Sequence, residues 1–384
     1  MLSISRRSAI APFVVMDVME KAEQIERAGR RVYHLEVGQP STSAPTRALA
    51  AAEAAMRAQP LGYTVAVGQM ELRKGIADLY RRRYGLDLPP DRIIATAGSS
   101  GGFVLAFLAA FDVGSRVAVA EPGYPCYRNI LASLGIEVVS IAVGADTHYQ
   151  LTSELLESHG GDVDGVIVAS PSNPTGSMLD RTAMSNLVHW CATRGIRLIS
   201  DEIYHGITFG QHATTAASFN DQVIVVNSFS KYFSMTGWRI GWLVLPPDLV
   251  RAVEKLAQNL FIAPTTISQI AATAALGAED ELCGHLERYA LGRAAVMSGL
   301  ASAGITEIAP PDGAFYVYAR CPDLTGGSAA FCSRLLEETG VAITPGVDFD
   351  AQRGREMIRF SYAGSTKDIE AGMERFVDYV CRTS

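Results

Sequence analysis

The sequence predicts an α/β protein: a large domain with a mainly parallel central sheet flanked by helices, plus a smaller α+β domain. Three observations predict it. The chain has 384 residues, 48% of them hydrophobic, which is too long for one ordinary core. Through its middle, short Val/Ile-rich runs alternate with helical patterns, as strands buried on both faces do. After about Leu276, long helical patterns take over, with short strands between them.

Taken in order, Ile93 to Thr96 reads as a strand and Gly101 to Phe111 as a helix. Arg116 to Ala120 and Glu137 to Ile141 are strands, and a helix follows around Thr152 to Glu157. Gly165 to Ala169 is a strand, Arg181 to Thr193 a helix, and Arg197 to Ser200 a strand. Val223 to Val226 and Ile240 to Leu245 complete the sheet. Beyond them come helices over Glu281 to Ala303, Ser328 to Thr339 and Thr366 to Cys381, with strands at Phe315 to Ala319 and Met357 to Ser361. In sheets of this kind ligands bind at the carboxyl ends of the strands, and the segments of interest follow strands.

Composition narrows the function. The formal net charge is −7, which argues against nucleic acid as a partner, because phosphate backbones need a basic surface. None of the six cysteines forms a C-x-x-C pair, so neither a zinc ribbon nor a redox motif is expected, and no metal site. Thiols in a chain of this size suit a reducing cytosol. Ser5-Arg6-Arg7 resembles a twin-arginine signal, but the apolar stretch after it is short, contains Pro12 and ends at Asp17. Export is therefore not expected, and the location is read as cytoplasmic. The apolar stretch Phe103 to Phe111 is far below the ~20 residues of a membrane span.

The most informative segment runs from Ser228 to Trp242 and reads SFSKYFSMTGWRIGW. Lys231 sits just past an apolar strand among hydroxyls and aromatics. A lysine there is costly unless it has a task. A Schiff base to an aldehyde suits it, because desolvation lowers the pKa and frees the amine. Arg239, Ser228 and Ser230 lie near enough in sequence to hold an anion such as phosphate. A lone lysine would more simply be a surface residue in a loop; the whole segment reverses that reading.

This chain resembles the class I/II aminotransferases, fold-type-I enzymes dependent on pyridoxal 5'-phosphate (PLP). The S-x-S-K pattern followed by G-W-R-x-G carries the likeness, and further motifs extend it in order over nearly the whole chain. The resemblance makes Lys231 the residue that bears the cofactor and Arg239 a phosphate ligand. Ser228 and Ser230 flank the same site, with Ser228 the better phosphate candidate. It also implies that residues 1–45 join 276–384 as the small domain, beside a PLP-binding domain at 46–275.

The other motifs gain roles in the same way. Ser170-Pro171-Ser172-Asn173-Pro174-Thr175-Gly176 alone is a Pro/Gly-rich turn; the resemblance gives Asn173 to the phenolic oxygen of PLP. Asp201-Glu202-Ile203-Tyr204 follows a strand, where an acid could simply cap a helix. PLP needs one carboxylate against its ring nitrogen, which the family supplies at Asp201, with Tyr204 sharing the phenolic oxygen. Thr96 to Gly102 lies between a strand and a helix, where backbone amides can bind an anion, and the family places phosphate on Ser99 and Ser100. Tyr124 matches an aromatic that stacks on the ring. Arg359, in Met357-Ile358-Arg359-Phe360-Ser361-Tyr362, would grip the substrate carboxylate in a bidentate fork. Gly38 resembles a glycine that lets substrate approach the backbone. Tyr63 resembles a tyrosine that reaches the neighbouring subunit's cofactor, which implies a homodimer.

The expected reaction moves an amino group from an L-amino acid to a 2-oxo acid by a ping-pong mechanism. Some aspartate-using members carry a lysine near Ser100, and this chain has none. Phe13, Tyr33, Phe261 and Phe315 are candidates for an apolar side-chain pocket, though aromatics are commonly core. Two other enzymes compete. A PLP-dependent Cβ (carbon–sulfur) lyase would share nearly all these residues. A serine hydrolase would use Gly98-x-Ser100-x-Gly102 as a nucleophile elbow, but its histidine should lie near the end of the chain, and the last one is His285.

Overall fold

The Val/Ile-rich runs become one sheet, because each is apolar on both faces and needs cover on both. A computed structural model describes residues 3–321 and 326–383. Residues 1, 2, 322–325 and 384, which fall in the expected small domain, lie outside the described residues. The N-terminal part holds α1 (Val14–Arg27), β1 (Tyr33–His34), α2 (Thr46–Ala58) and α3 (Met70–Tyr84). The alternating region follows: β2 (Ile93–Thr96), α4 (Gly98–Ala110), β3 (Arg116–Glu121), α5 (Pro125–Leu134), β4 (Glu137–Ala142), α6 (Ser153–Ser158), β5 (Gly165–Ala169), α7 (Arg181–Arg194), β6 (Arg197–Asp201), β7 (Ile224–Ser228) and β8 (Gly241–Val244). Two helices, α8 (Pro247–Leu260) and α9 (Thr266–Ala275), lead to α10 (Glu279–Ser302). Then come β9 (Tyr316–Arg320), α11 (Ser328–Thr339), β10 (Val341–Ala342), β11 (Thr344–Pro345), β12 (Met357–Ser361) and α12 (Thr366–Thr383).

The large sheet has the order β2-β8-β7-β6-β5-β3-β4. It is parallel from β7 to β4, and β8 runs antiparallel to both of its neighbours. All residues of β2, β7 and β8 are buried, whereas β4, at the far edge, is largely exposed. Burial on both faces is why the central runs read as continuous rather than alternating. A second, antiparallel sheet has the order β11-β12-β9 and pairs Arg359 with Tyr318.

The N-terminal segment meets the C-terminal elements directly. Tyr33 of β1 pairs with Val341 of β10 in parallel, and the Ser361 amide donates to the Leu35 carbonyl at 2.7 Å. Residues 33–38 thereby lie beside β12, which carries Arg359. Among the described residues no helix is long and apolar enough to cross a membrane.

Element positions agree closely with the sequence reading, and the differences have causes. Helix α4 starts at Gly98 rather than Gly101, because its glycines are packed against neighbours; a Cβ on Gly102 would lie 3.3 Å from Leu243 Cδ2. Strands β6 and β7 each continue past their apolar run, to Asp201 and Ser228. Both extensions carry polar side chains to the sheet's carboxyl edge.

Candidate active site

Four strand ends and three outlying elements close around a cavity of about 450 Å³. β2 delivers Ser99 and Ser100 at the first turn of α4, β5 delivers Asn173, β6 Asp201 and Tyr204, and β7 Ser230 and Lys231. From the other side β9 and β12 bring Tyr316 and Arg359, and the N-terminal segment brings Phe13 and Gly38. Twelve of the thirteen residues expected at the site are accounted for in or directly behind this cavity.

Lys231 is half-buried, and its Nζ donates to the Gly38 carbonyl at 2.6 Å. Burial pushes its amine down from 10.5 to about 8; the Arg359 and Arg239 charges add to the shift, and Asp201 opposes it. Asp201 is buried, accepting from the Ile203 amide at 3.1 Å and from the Tyr127 hydroxyl. Burial raises its carboxyl to about 6, against the pull of Tyr127, the Ile203 amide and Lys231. A neutralisable amine and a carboxylate thus face the same space.

Arg359 is 2% exposed and lies between the rings of Tyr316 and Phe349, 4.4 and 4.7 Å from their centroids. It donates to Asn173 Oδ1 at 2.8 Å, to Thr344 Oγ1 at 3.1 Å and to the Glu36 carbonyl. Among the described residues no carboxylate pairs with it, and its Nε is buried without a partner. A buried guanidinium held by neutral acceptors is prepared for an incoming anion. The Tyr204 hydroxyl is 2.8 Å from that of Tyr316. Gly38 has to be glycine here: a Cβ would lie 1.7 Å from the Tyr316 hydroxyl.

The opposite end is built for a different anion. Gly98 has φ +70°, and a Cβ there would lie 2.6 Å from an Arg239 guanidinium nitrogen. Arg239 adopts φ +50° and donates to the Thr236 carbonyl at 3.0 Å. Ser99, Ser100, Ser230 and Thr236 complete this end, at the N-terminus of α4, where backbone amides and the helix dipole favour negative charge. Ser228 stands behind Ser230, 2.8 Å between hydroxyls, and its Oγ donates to the Ile240 carbonyl at 3.1 Å. The cavity wall is therefore Ser230, not Ser228, which was expected to be the better anion ligand.

Tyr124 forms a half-buried wall, edge-on to Phe13 and Tyr127 at 5.8 and 5.3 Å. Tyr63 is 85% exposed and stands outside this chain's cavity. Of the four aromatics considered for a side-chain pocket, Phe13 lines the cavity. Tyr33 and Phe315 are buried core instead, the latter packed on Tyr204 and Tyr289, and Phe261 is 37% exposed away from it. Sequence reasoning passed over Tyr127 and Tyr316. Tyr127 lies three residues after Tyr124, and Tyr316 neighbours Phe315, so the alternation of side chains along β9 was the available signal for the latter.

The hydrolase reading fails on this geometry. Ser100 is exposed at the start of α4, and among the described residues no histidine lines the cavity. The donor set fits PLP instead: an anion cradle of hydroxyls, amides and Arg239 at one end, a lysine amine of lowered pKa, and a buried carboxylate. Among the described residues no His/Cys/Asp/Glu group could hold a metal ion. Fold and site together define the class as fold-type-I PLP enzymes.

Comparison with known proteins is more specific. The model of the family described as aminotransferase class I and II matches residues 30–376. A valine–pyruvate aminotransferase of Mycobacterium tuberculosis is 48% identical over 97% of both chains. A (5-formylfuran-3-yl)methyl phosphate transaminase of Methanocaldococcus jannaschii is 35% identical over 96% of both. The crystal structure of an aminotransferase from M. tuberculosis superposes with a TM-score of 0.97 at 47% identity, covering 100% of each chain. This chain belongs to the class I and II aminotransferases and is a PLP-dependent transaminase.

Proposed function

We propose that the enzyme moves the amino group of a small apolar L-amino acid to a 2-oxo acid, with valine and pyruvate as the first pair to test. Support comes from the part of the cavity wall that the N-terminal segment forms, where Phe13, Val15, Met16, Met19 and Val37 present apolar surface. The cations lining the cavity are Lys231, Arg239 and Arg359. Each has a task in the reading below, so none remains for the distal carboxylate of aspartate. The M. tuberculosis relative named for valine and pyruvate supports the same choice.

In this reading Ser99, Ser100, Ser230 and Arg239 hold the cofactor phosphate, with Ser228 ordering Ser230 from behind. Asp201 faces the ring nitrogen, Asn173 and Tyr204 the phenolic oxygen, and Tyr124 a face of the ring. PLP, when bound, supplies an aldehyde for the substrate amine and a ring that draws off the electron pair left at Cα. Arg359 fixes the substrate carboxylate and so points the Cα–H bond at Lys231. The Lys231 amine, neutral above about pH 8, takes that proton on Nζ and gives it back on the far side of the same step. Each half-reaction then needs one base, and the site holds one.

Tyr63 reaches the partner subunit's phosphate in a homodimer, which accounts for an exposed tyrosine beside Val65, itself 63% exposed. The chain divides into a PLP-binding domain at 46–275 and a small domain of 1–45 with 276–384; the β1–β10 pairing supports that division. All six cysteines are free, which suits the cytoplasm.

The single observation that carries the reading is that Lys231, Asp201 and Arg359 line one cavity. The test is a half-reaction screen of the holoenzyme. L-Valine and L-alanine should convert the cofactor to its amine form, with L-aspartate much slower, and pyruvate should restore it. Lys231→Ala should lower turnover by at least about 10²–10⁴-fold, the usual worth of a positioned base. Full turnover in that variant, or pyruvate and ammonia released without an acceptor, would overturn it; the second outcome is a lyase.

A further inference from the structure

Next to the catalytic cavity lies an open groove of about 710 Å³ between α1 and the chain from Val32 to Ser41. Six carboxylates line it: Asp17, Glu20, Glu23, Glu26, Glu36 and Asp368. Some are matched. Arg27 pairs with Glu23 at 2.6 Å, Arg31 with Asp368 at 2.5 Å, and His34 reaches Glu36 at 2.8 Å and Glu26 at 3.3 Å. Among the described residues neither Asp17 nor Glu20 has a cation partner.

Acidic surface alone would be a solvated helix face. Glu36 is what sets this groove apart. Its side chain is fully buried, one oxygen faces His34, and the other, Oε2, has no hydrogen-bond partner. A buried carboxylate oxygen left without a donor is costly, and this one belongs to a residue of the groove wall. The wall also carries apolar surface from Met16, Met19 and Val37. Among the described residues no set of ligands suits a metal ion.

We propose that the groove binds an organic cation, an alkyl chain with ammonium groups, whose nitrogen donates to Glu36 Oε2 while its methylenes lie along Met16, Met19 and Val37. Asp17 and Glu20 supply the surrounding negative field. Two sources offer this chemistry. One is a free polyamine. The other is the distal ammonium of a diamino acid seated in the catalytic cavity, because Met16, Met19, Val37 and Gln39 line both spaces. The second source rests on the transamination established above.

The experiment uses the PLP-loaded enzyme. Spermidine is titrated calorimetrically into the wild type, the surface double variant Asp17→Asn/Glu20→Gln, and Glu36→Gln. The control is Asp78→Asn/Asp162→Asn, which removes two exposed acids elsewhere. In parallel, kcat/KM is measured for L-ornithine against L-norvaline, which has the same carbon chain without the distal amine. Spermidine binding weakened about tenfold or more in the groove variants but not in the control supports the free-polyamine source. A fall in the ornithine-to-norvaline ratio, again confined to the groove variants, supports the substrate source. Norvaline turnover reports transamination itself, so a failure there is distinct from a failure of the groove. If Glu36→Gln does not fold, the surface pair decides alone. Equal spermidine affinity and an unchanged ratio across all proteins overturn the proposal, as does an equal effect in the control.

Discussion

At the scale of single residues, the chemistry rests on burial setting two charges against each other. Lys231 loses water and sits near two guanidinium groups, so its amine falls to about 8. In the apoprotein it is protonated below that pH and neutral above it. The rate at which the apoprotein captures PLP should therefore rise through pH 8 and level off, as followed by stopped-flow absorbance from pH 6 to 10. Asp201 favours the charged amine, so Asp201→Asn should move that midpoint down. The same variant should lower transamination by about 10²–10⁴-fold, because the carboxylate proposed to face the ring nitrogen is lost. The linkage to stability has a definite sign. Between pH 8 and 10.5 the folded chain binds fewer protons at Lys231 than the unfolded chain, so this residue makes stability rise with pH in that window. Arg359 acts through its planar fork. Arg359→Lys keeps the charge and loses the paired geometry, at about 1.5–3 kcal/mol per charged hydrogen bond. Steady-state kinetics should show a higher KM for amino acid and oxo acid alike.

Whole elements hold these residues at their stations, and the least conspicuous elements matter most. β1 and β10 are two residues each, too short to leave a periodic pattern. Yet their pairing sets residues 34–38 beside Arg359, so that the Glu36 and Gly38 carbonyls receive Arg359 and Lys231. The pairing depends on Gly340, the C-cap of α11. It adopts φ +74°, a Cβ would lie 2.5 Å from the Arg31 carbonyl oxygen, and its own carbonyl accepts from the Tyr33 amide at 2.8 Å. Gly340→Ala should cost about 1–3 kcal/mol in urea unfolding. It should also weaken activity, although the residue is remote from the chemistry, because the shift passes through β1 to the Arg359 acceptors. Arg239 is a counterpart at the other end: its left-handed backbone turns the guanidinium back over Gly98.

The scale of the whole molecule adds what no element contains. The cavity has one wall from the carboxyl edge of the large sheet and another from β9, β12 and the N-terminal segment. Neither wall carries a complete set: Lys231 and Asp201 are on the first, Arg359 on the second. The role proposed for Tyr63 would extend the logic to a second copy. Sedimentation should show a dimer. Mixing Lys231→Ala with Tyr63→Ala subunits should restore activity that neither has alone. A mixed dimer then holds one site with its own Lys231 and a tyrosine from its partner, and one site lacking both. No recovery on mixing would mean that Tyr63 serves its own chain or none.

The sequence by itself determined the fold class, most elements to within a few residues, and the polar groups that follow strands. It could do so because a strand buried on both faces must be continuously apolar, and because Lys231, Asp201 and Asn173 each follow such a run within a few residues. Helices α1, α2, α3, α5, α8 and α9 passed unremarked. α2, for instance, is rich in alanine, which blurs the contrast between faces. Only the tertiary structure decided that Tyr316, not Phe315, meets Tyr204 hydroxyl to hydroxyl, that Ser230 and not Ser228 faces the cavity, and that Tyr127 caps Asp201. It also decided that one oxygen of Glu36 is left without a donor. Those outcomes depend on which neighbour, distant in the chain, fills each position around a side chain. Local pattern encodes which residues must be buried, whereas the partner met on burial is fixed when separate elements pack together.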